Sequence, residues 1–163
     1  MFDNNNEAQM VGEREIVFER VFAVPRTTLW RAYTDPERLA QWWGPEGWTL
    51  PFCSVDLRVG GAWHYCMRGP TGQESWGKAI YKEIVEPEHL VYTDNFADAE
   101  GNLNQKFPEL LVTVSFDERP DNHSKLTLHT LFASAVHREK LVAMGMAQGM
   151  RQAIDRLTKV VQN

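Results

Sequence analysis

The last quarter of the chain reads HREKLVAMGMAQGMRQAIDRLTKVV, from His137 to Val161. Apolar side chains recur in it at steps of three and four residues and charged ones fall between them, which is the pattern of a long amphipathic helix. The apolar stripe consists of Val142, Met146, Met150, Ala153, Leu157 and Val161, and we expect the first five of these to be buried against the sheet. The regular segments upstream are strand-like, so the economical architecture is an antiparallel sheet curled around one C-terminal helix.

Two glycines four residues apart, Gly145 and Gly149, lie inside this helical pattern. Each costs a helix about 1 kcal/mol relative to alanine, and the methionines around them are flexible side chains that adapt to irregular space. Two interpretations stay open: the glycines allow close packing of helix on sheet, or they leave room for a pocket. The second predicts that Gly149→Leu abolishes uptake of an apolar probe while the fold persists.

Composition narrows the class of protein. The 163 residues include 17 basic and 22 acidic side chains, giving a formal net charge of -5, which argues against a nucleic-acid or anionic-membrane surface. We find no signal peptide or membrane span in the pattern, and two cysteines, Cys53 and Cys66, are too few for a disulfide framework. We therefore expect a cytoplasmic protein that needs no cofactor and binds neither nucleic acid nor membrane.

Strand and turn signals alternate upstream of the terminal helix. Residues 1–13 are polar and lack periodicity, so we expect a flexible tail followed by a single domain over 14–163. Pro25 and the pair Asp35-Pro36 predict two short helices after the first strand. The predicted helices span 26–33 and 36–43, and the seven predicted strands span 14–24, 53–59, 62–68, 74–85, 89–96, 109–117 and 125–132. The predicted fold class is α+β, a curved antiparallel sheet around a long C-terminal helix.

Aromatic residues and one carboxylate are the candidates for a site. Trp42, Trp43 and Trp48 fall within seven residues, which is typical either of a cavity mouth or of a plug at one end of the sheet. Asp94 shares a strand face with Tyr92 and other apolar residues. It is therefore either a pocket carboxylate with a raised pKa or a residue turned outward near the strand end.

Signatures of catalysis and of metal binding are missing from the sequence. His64 and Cys66 lie two apart on a strand, but no third ligand is spaced to complete a zinc site. The acid–base candidates Asp94, Glu109, His64 and Tyr65 are not paired by any local spacing. We therefore predict no catalytic residue and no bound metal, and an enzyme is the less favoured interpretation.

Four blocks occur in order along the chain: VPRTTLWRAYTDPERLAQWWGP (24–45), DLRVGGAW (56–63), EIVEPEHLVY (83–92) and GMAQGM (145–150). Together they resemble the START-like (SRPBCC) helix-grip superfamily, in the branch similar to the C-terminal domain of the activator of the heat-shock-protein-90 ATPase. The resemblance implies a sheet that grips the C-terminal helix with a hydrophobic cavity between them. Members of the superfamily include lipid and polyketide carriers, cyclases and co-chaperone domains, and they share no catalytic set.

Three functions are compatible with these observations. The favoured one is binding of a hydrophobic or aromatic small molecule in the cavity; the alternatives are a cyclase- or hydrolase-type enzyme and an interaction domain for a chaperone, with a homodimer also open. The residues expected to line the cavity are Trp42, Trp43, Trp48, Tyr65, Trp76, Tyr92, Asp94, Met146, Gly149 and Met150.

Overall fold

The structure is a computed structural model that describes residues 8–162. The strands of this region are β1 (Gln9–Val11), β2 (Glu15–Phe22), β3 (Thr49–Val55), β4 (Ala62–Arg68), β5 (Glu74–Val85), β6 (His89–Phe96), β7 (Leu110–Arg119) and β8 (His123–Leu131). The helices are α1 (Arg26–Thr34), α2 (Pro36–Trp42), α3 (Ala135–Ala143) and α4 (Met146–Gln162). The predicted α+β helix-grip fold is confirmed.

All the strands join one antiparallel sheet in the order β1-β2-β8-β7-β6-β5-β4-β3. Hairpins link consecutive strands from β3 to β8, whereas β2 and β3 lie far apart in the sheet. Helices α1 and α2 make that one long connection. Asp35 caps α2 as predicted, since its carboxylate accepts a hydrogen bond from the Glu37 backbone N–H at 3.0 Å, and Pro36 occupies the first helical position.

The first strand of the sheet lies where the sequence predicted a tail. Residues 9–11 pair with residues 15–17 of β2, and Met1–Glu7 lie outside the described residues. The guanidinium of Arg138 in α3 donates to the backbone carbonyls of Val11, Gly12 and Glu15. These contacts join segments more than 120 residues apart, which local periodicity cannot detect.

Strand β3 begins and ends earlier than the alternation of apolar residues predicted. Leu57 and Val59 were expected in the strand, but they are exposed in the turn that follows it. Gly61 permits that turn, because a Cβ there would lie 2.1 Å from the Asp56 carbonyl oxygen. Strand β3 also shifts register between Thr49 and Phe52, and the exposed Pro51 lies within the shift.

The predicted C-terminal helix is two helices. It begins at Ala135 rather than His137, with the Ser134 hydroxyl accepting a hydrogen bond from the His137 N–H at 3.0 Å, and it breaks after Ala143. Gly145 adopts a φ of +93° at the break, a left-handed conformation that glycine tolerates and that commonly ends a helix. Gly145 thus separates α3 from α4, whereas Gly149 lies inside α4.

Helix α4 packs with α1 and α2 over the inner face of the sheet, which is the face that carries the main core. Ala153 and Leu157 are buried as predicted, and so is Ile154, which the predicted stripe omitted. The expectation that Val142, Met146 and Met150 are buried is wrong, because they are only half-buried. Met146 and Met150 border a cavity between helix and sheet, which leaves part of each side chain exposed.

Candidate ligand-binding cavity

A cavity of about 350 Å³ lies between α4, the loop after α2 and the inner face of the sheet. Aromatic and aliphatic side chains form most of its wall, and the polar groups are few. The aromatic residues of the wall are Tyr33, Trp42, Trp43, Tyr65, Trp76, Tyr92 and Phe96. The aliphatic residues on the helix side and on the sheet floor include Leu110, Val112, Leu128, Leu141, Met144, Met146, Met150, Ala153 and Ile154.

The aromatic wall is built by α1, α2 and β4 together. Trp42 is fully buried and its indole N–H donates to the Ala32 carbonyl at 3.0 Å, which fixes α2 against α1. Trp43 follows at the end of α2, and its ring lies 5.9 Å from that of Tyr33 and 5.8 Å from that of Tyr65. Both contacts are edge-to-face, a favourable arrangement for aromatic rings. Trp42 and Trp43 of the predicted tryptophan cluster therefore both close the core and border the cavity.

Tyr65 and Asp94 form one polar part of the wall. They lie on β4 and β6, with β5 between them, and the Tyr65 hydroxyl donates to an Asp94 carboxylate oxygen at 3.4 Å. Gly77 of β5 makes this contact possible, because a Cβ at this position would lie 2.4 Å from the Tyr65 ring. The absence of a side chain on the middle strand lets the phenol cross it.

Burial shifts the ionisation of both partners. Desolvation raises the pKa of Asp94 from 3.8 to about 6, and the hydrogen bond from Tyr65 opposes that shift. Desolvation, together with the nearby Asp94 charge, raises the pKa of Tyr65 well above its ordinary range. The hydroxyl groups of Tyr33 and Tyr92 share a hydrogen bond of 3.1 Å, and burial raises the pKa of both. The three phenols are thus neutral hydrogen-bonding groups at any physiological pH.

Helix α4 and the loop after α2 meet at one side of the cavity. A Cβ on Gly149 would lie 3.4 Å from the Pro45 ring. Arg156 donates hydrogen bonds to the carbonyls of Gly44 and Pro45 at 3.0 and 3.1 Å, and the Gln152 side-chain oxygen accepts one from the Glu46 N–H at 3.1 Å. The helix therefore holds the loop in place beside the cavity.

The sequence matches a family model described as Activator of Hsp90 ATPase homolog 1-like protein over residues 23–162. The chain belongs to this family. No protein with a curated function is a significant match.

Solved structures share the fold of this Hsp90-activator-like chain over nearly its whole length. A solution structure from Arthrobacter aurescens has 29% identity and a TM-score of 0.88, covering 96% of this chain and 91% of the other. A crystal structure from Mycobacterium smegmatis has 28% identity and a TM-score of 0.84, covering 94% and 96%. A Nitrosomonas europaea protein with 22% identity and a TM-score of 0.81, covering 94% and 97%, shows the fold alone.

Most of the residues predicted to line a cavity do border this one in the Hsp90-activator-like fold. They are Trp42, Trp43, Tyr65, Trp76, Tyr92, Asp94, Met146, Gly149 and Met150. Trp48 is not in the wall, because Gly47, with a φ of +84°, turns the chain away after Pro45. Sequence reasoning missed Tyr33 and the floor residues of β7 and β8. Their alternating apolar pattern predicted burial, but nothing in it distinguished a cavity floor from filled core.

The other candidates for chemistry in this family member are His64, Cys66 and Glu109. His64 places its Nε2 atom 2.9 Å from the Asp98 carbonyl oxygen, and Cys66 is a buried free thiol. Glu109 is exposed. Over residues 8–162, no three His, Cys, Asp or Glu side chains are grouped so as to hold a metal ion. In the same region, every helix falls short of the length and apolar content that a membrane crossing requires.

Proposed function

We propose that the protein binds a small, largely apolar or aromatic molecule in the cavity between α4 and the sheet. The observation that carries this proposal is the cavity itself, about 350 Å³ with an apolar wall and a few convergent polar groups. Small-molecule sites commonly occupy roughly 300–1,000 Å³ and combine apolar walls with a small number of polar groups in this way. The residues proposed to contact the ligand are those of the predicted set that border the cavity.

The composition of the wall supports binding rather than simple packing. Core space of this size is costly to leave unfilled, since each missing methylene group lowers stability. Met146 and Met150 are half-buried and border the cavity, and flexible thioethers adapt to ligands of different shape. The Tyr65–Asp94 pair and the Tyr33–Tyr92 pair supply the orienting polar groups.

Binding of an apolar dye tests the proposal. N-phenyl-1-naphthylamine is neutral and fluoresces strongly in apolar surroundings, and we expect the wild-type protein to take it up with one site per chain. Met150→Trp places a larger ring against the cavity and should weaken uptake at least tenfold. Lys159→Trp adds the same ring at an exposed position of α4 and should bind the dye like the wild type.

Met150 is a better position for this test than Gly149. A Cβ at Gly149 would already contact Pro45 at 3.4 Å, so the larger side chain of Gly149→Leu would move the loop as well as fill space. Thermal unfolding should show Met150→Trp and Lys159→Trp folded with similar midpoints. A wild-type protein that takes up no dye at any concentration below its solubility limit would refute ligand binding by this cavity.

The proposed setting is the cytoplasm, which agrees with two cysteines that are both free thiols. The family description concerns activation of the Hsp90 ATPase, and a chaperone partner for this chain stays a prediction. Pull-down of a chaperone that persists in Met150→Trp would indicate a protein-interaction surface separate from the cavity.

A further inference from the structure

The cavity wall contains one acidic side chain. Among the described residues, Asp94 is the only acidic side chain that borders the cavity, and no Lys, Arg or His borders it. The carboxylate receives neutral hydrogen bonds, from the Tyr65 hydroxyl at 3.4 Å and from the backbone N–H of Asn95. A half-buried carboxylate with neutral partners alone remains poorly compensated.

Several other carboxylates of the described region have a cation beside them. Asp155 lies 2.8 Å from the nearly buried Arg20, Glu74 lies 2.7 Å from Arg68, and Glu19 lies 2.7 Å from Lys125. Asp94 takes part in no ion pair within residues 8–162. A positively charged ligand would therefore give Asp94 the ionic partner that no residue of the described region supplies.

The surroundings of Asp94 favour a cation over other polar groups. Tyr65, Tyr92 and Trp43 belong to the same wall, and aromatic rings attract ammonium groups through their negative faces. An anionic ligand would meet the carboxylate with no basic residue to offset the repulsion. A neutral ligand would fill the space but leave the carboxylate charge uncompensated.

We propose that the ligand is a small organic cation, a protonated amine on an apolar or aromatic body, whose ammonium group pairs with Asp94 while its body fills the cavity. This inference rests on the proposed ligand-binding function and assigns its chemical class. The ammonium would take the side of the carboxylate that Tyr65 does not occupy. The apolar body would lie against the methionines of α4.

The groups that face Asp94 from each neighbouring element are neutral. Tyr65 comes from β4, Tyr33 from α1 and Tyr92 from β6 itself, and the pKa values of these phenols are all raised. The strand neighbours of Asp94 in the sheet are Ala79 of β5 and Leu110 of β7. The helix-side groups that border the cavity carry no charge. The charge of the site therefore depends on Asp94 alone.

Three ligands with the same aromatic body test the inference by isothermal titration calorimetry at pH 8. They are 2-naphthylmethylamine, 2-naphthylmethanol and 2-naphthoate, which are cationic, neutral and anionic. We expect the amine to bind at least tenfold more tightly than the alcohol and the carboxylate to bind most weakly. Asp94→Asn should weaken amine binding at least tenfold and alcohol binding by a much smaller factor. Asp117→Asn, at an exposed position of β7, should change neither.

Acidification gives a second test on the unmodified protein. Since burial raises the pKa of Asp94 to about 6, about nine-tenths of the free carboxylate is protonated at pH 5, whereas an aliphatic amine stays charged. Amine binding should be about tenfold weaker at pH 5 than at pH 8, and alcohol binding should not change.

The outcomes distinguish failure of the cation assignment from failure of the proposed ligand-binding function. Equal affinity for amine and alcohol in the wild type, or a preference for the amine that survives Asp94→Asn, would overturn the cation assignment and leave ligand binding intact. If none of the three ligands binds and the neutral dye is not taken up, the proposed function fails and the inference fails with it.

Discussion

Asp94 is the residue at which stability and function are expected to conflict. Between its ordinary pKa of 3.8 and its folded value of about 6, the folded protein holds a proton that the unfolded chain releases. The contribution of Asp94 to the free energy of unfolding therefore falls as pH rises through this window, and it stays low at neutral pH. A shift of about two pKa units corresponds to at most about 3 kcal/mol.

Asp94→Asn should therefore stabilise the protein at neutral pH. The amide keeps an oxygen that can accept the Tyr65 hydrogen bond but carries no charge. We expect the free energy of unfolding to rise by about 1–3 kcal/mol at pH 8 and to change little at pH 4, measured by urea denaturation at both values. A variant less stable than the wild type at pH 8 would show that the native carboxylate has a compensating partner.

Single residues differed in how much of their surroundings the sequence could reveal. Strand parity placed Asp94 on the face of Tyr92, and both residues border the cavity in the structure. Its partner Tyr65 could not be deduced, because the contact crosses an intervening strand and requires a glycine at Gly77. Such a contact depends on the register of two hairpins, and an error of one residue in either would reverse the faces.

The two glycines of the C-terminal region have different roles in the helices. Gly145 has a φ of +93° and no atom near its missing Cβ, whereas Gly149 lies within regular α4. Gly145→Ala should lower the free energy of unfolding by about 1–2 kcal/mol, because an L side chain is strained in that conformation.

Gly149→Ala is the matched comparison. It should leave the protein equally stable or more stable, by up to about 1 kcal/mol, because alanine favours a helix and the contact with Pro45 at 3.4 Å is an ordinary one. Chemical denaturation of both variants measures the difference. Effects of the same sign and size would mean that the two glycines occupy equivalent helical positions.

Helix periodicity predicted that the C-terminal segment is helical, but not that it forms two helices. The apolar spacing continues across Met144 and Met146, so the pattern is the same for one helix as for two that share a face. A glycine inside a helix and a glycine ending a helix are identical in sequence, and only the backbone conformation separates them. The exact limits of the short helices were better predicted, because proline and an Asx cap mark them chemically.

For the whole molecule, the sequence predicted the architecture but not the size of the cavity. Hairpin turns predicted the order from β3 to β8, since consecutive antiparallel strands are usually neighbours. Strand β1 escaped prediction because its three residues are too few to show alternation, and Arg138 from the far end of the chain binds the Val11 carbonyl. The size of the cavity depends on how far α4 stands from the sheet, which is a balance of many packing contacts that no local pattern records.

The register shift in β3 affects how readily separate molecules associate through this edge of the sheet. In the described sheet, β3 is an edge strand, and edge strands offer unpaired N–H and C=O groups to other chains. Pro51 has no N–H to offer and sits within the irregular part of the strand. The opposite edge, β1, is only three residues long.

Pro51→Thr should therefore make the protein prone to edge-to-edge aggregation while leaving the cavity unchanged. We expect light scattering on gentle heating to begin at lower temperature or concentration than in the wild type, whereas Pro120→Thr, in an exposed turn, should behave like the wild type. Unchanged scattering would mean that a feature other than Pro51 prevents intermolecular pairing at this edge. A cavity in the core lowers the stability of a protein, so an edge that resists intermolecular pairing protects the molecule when it partly opens.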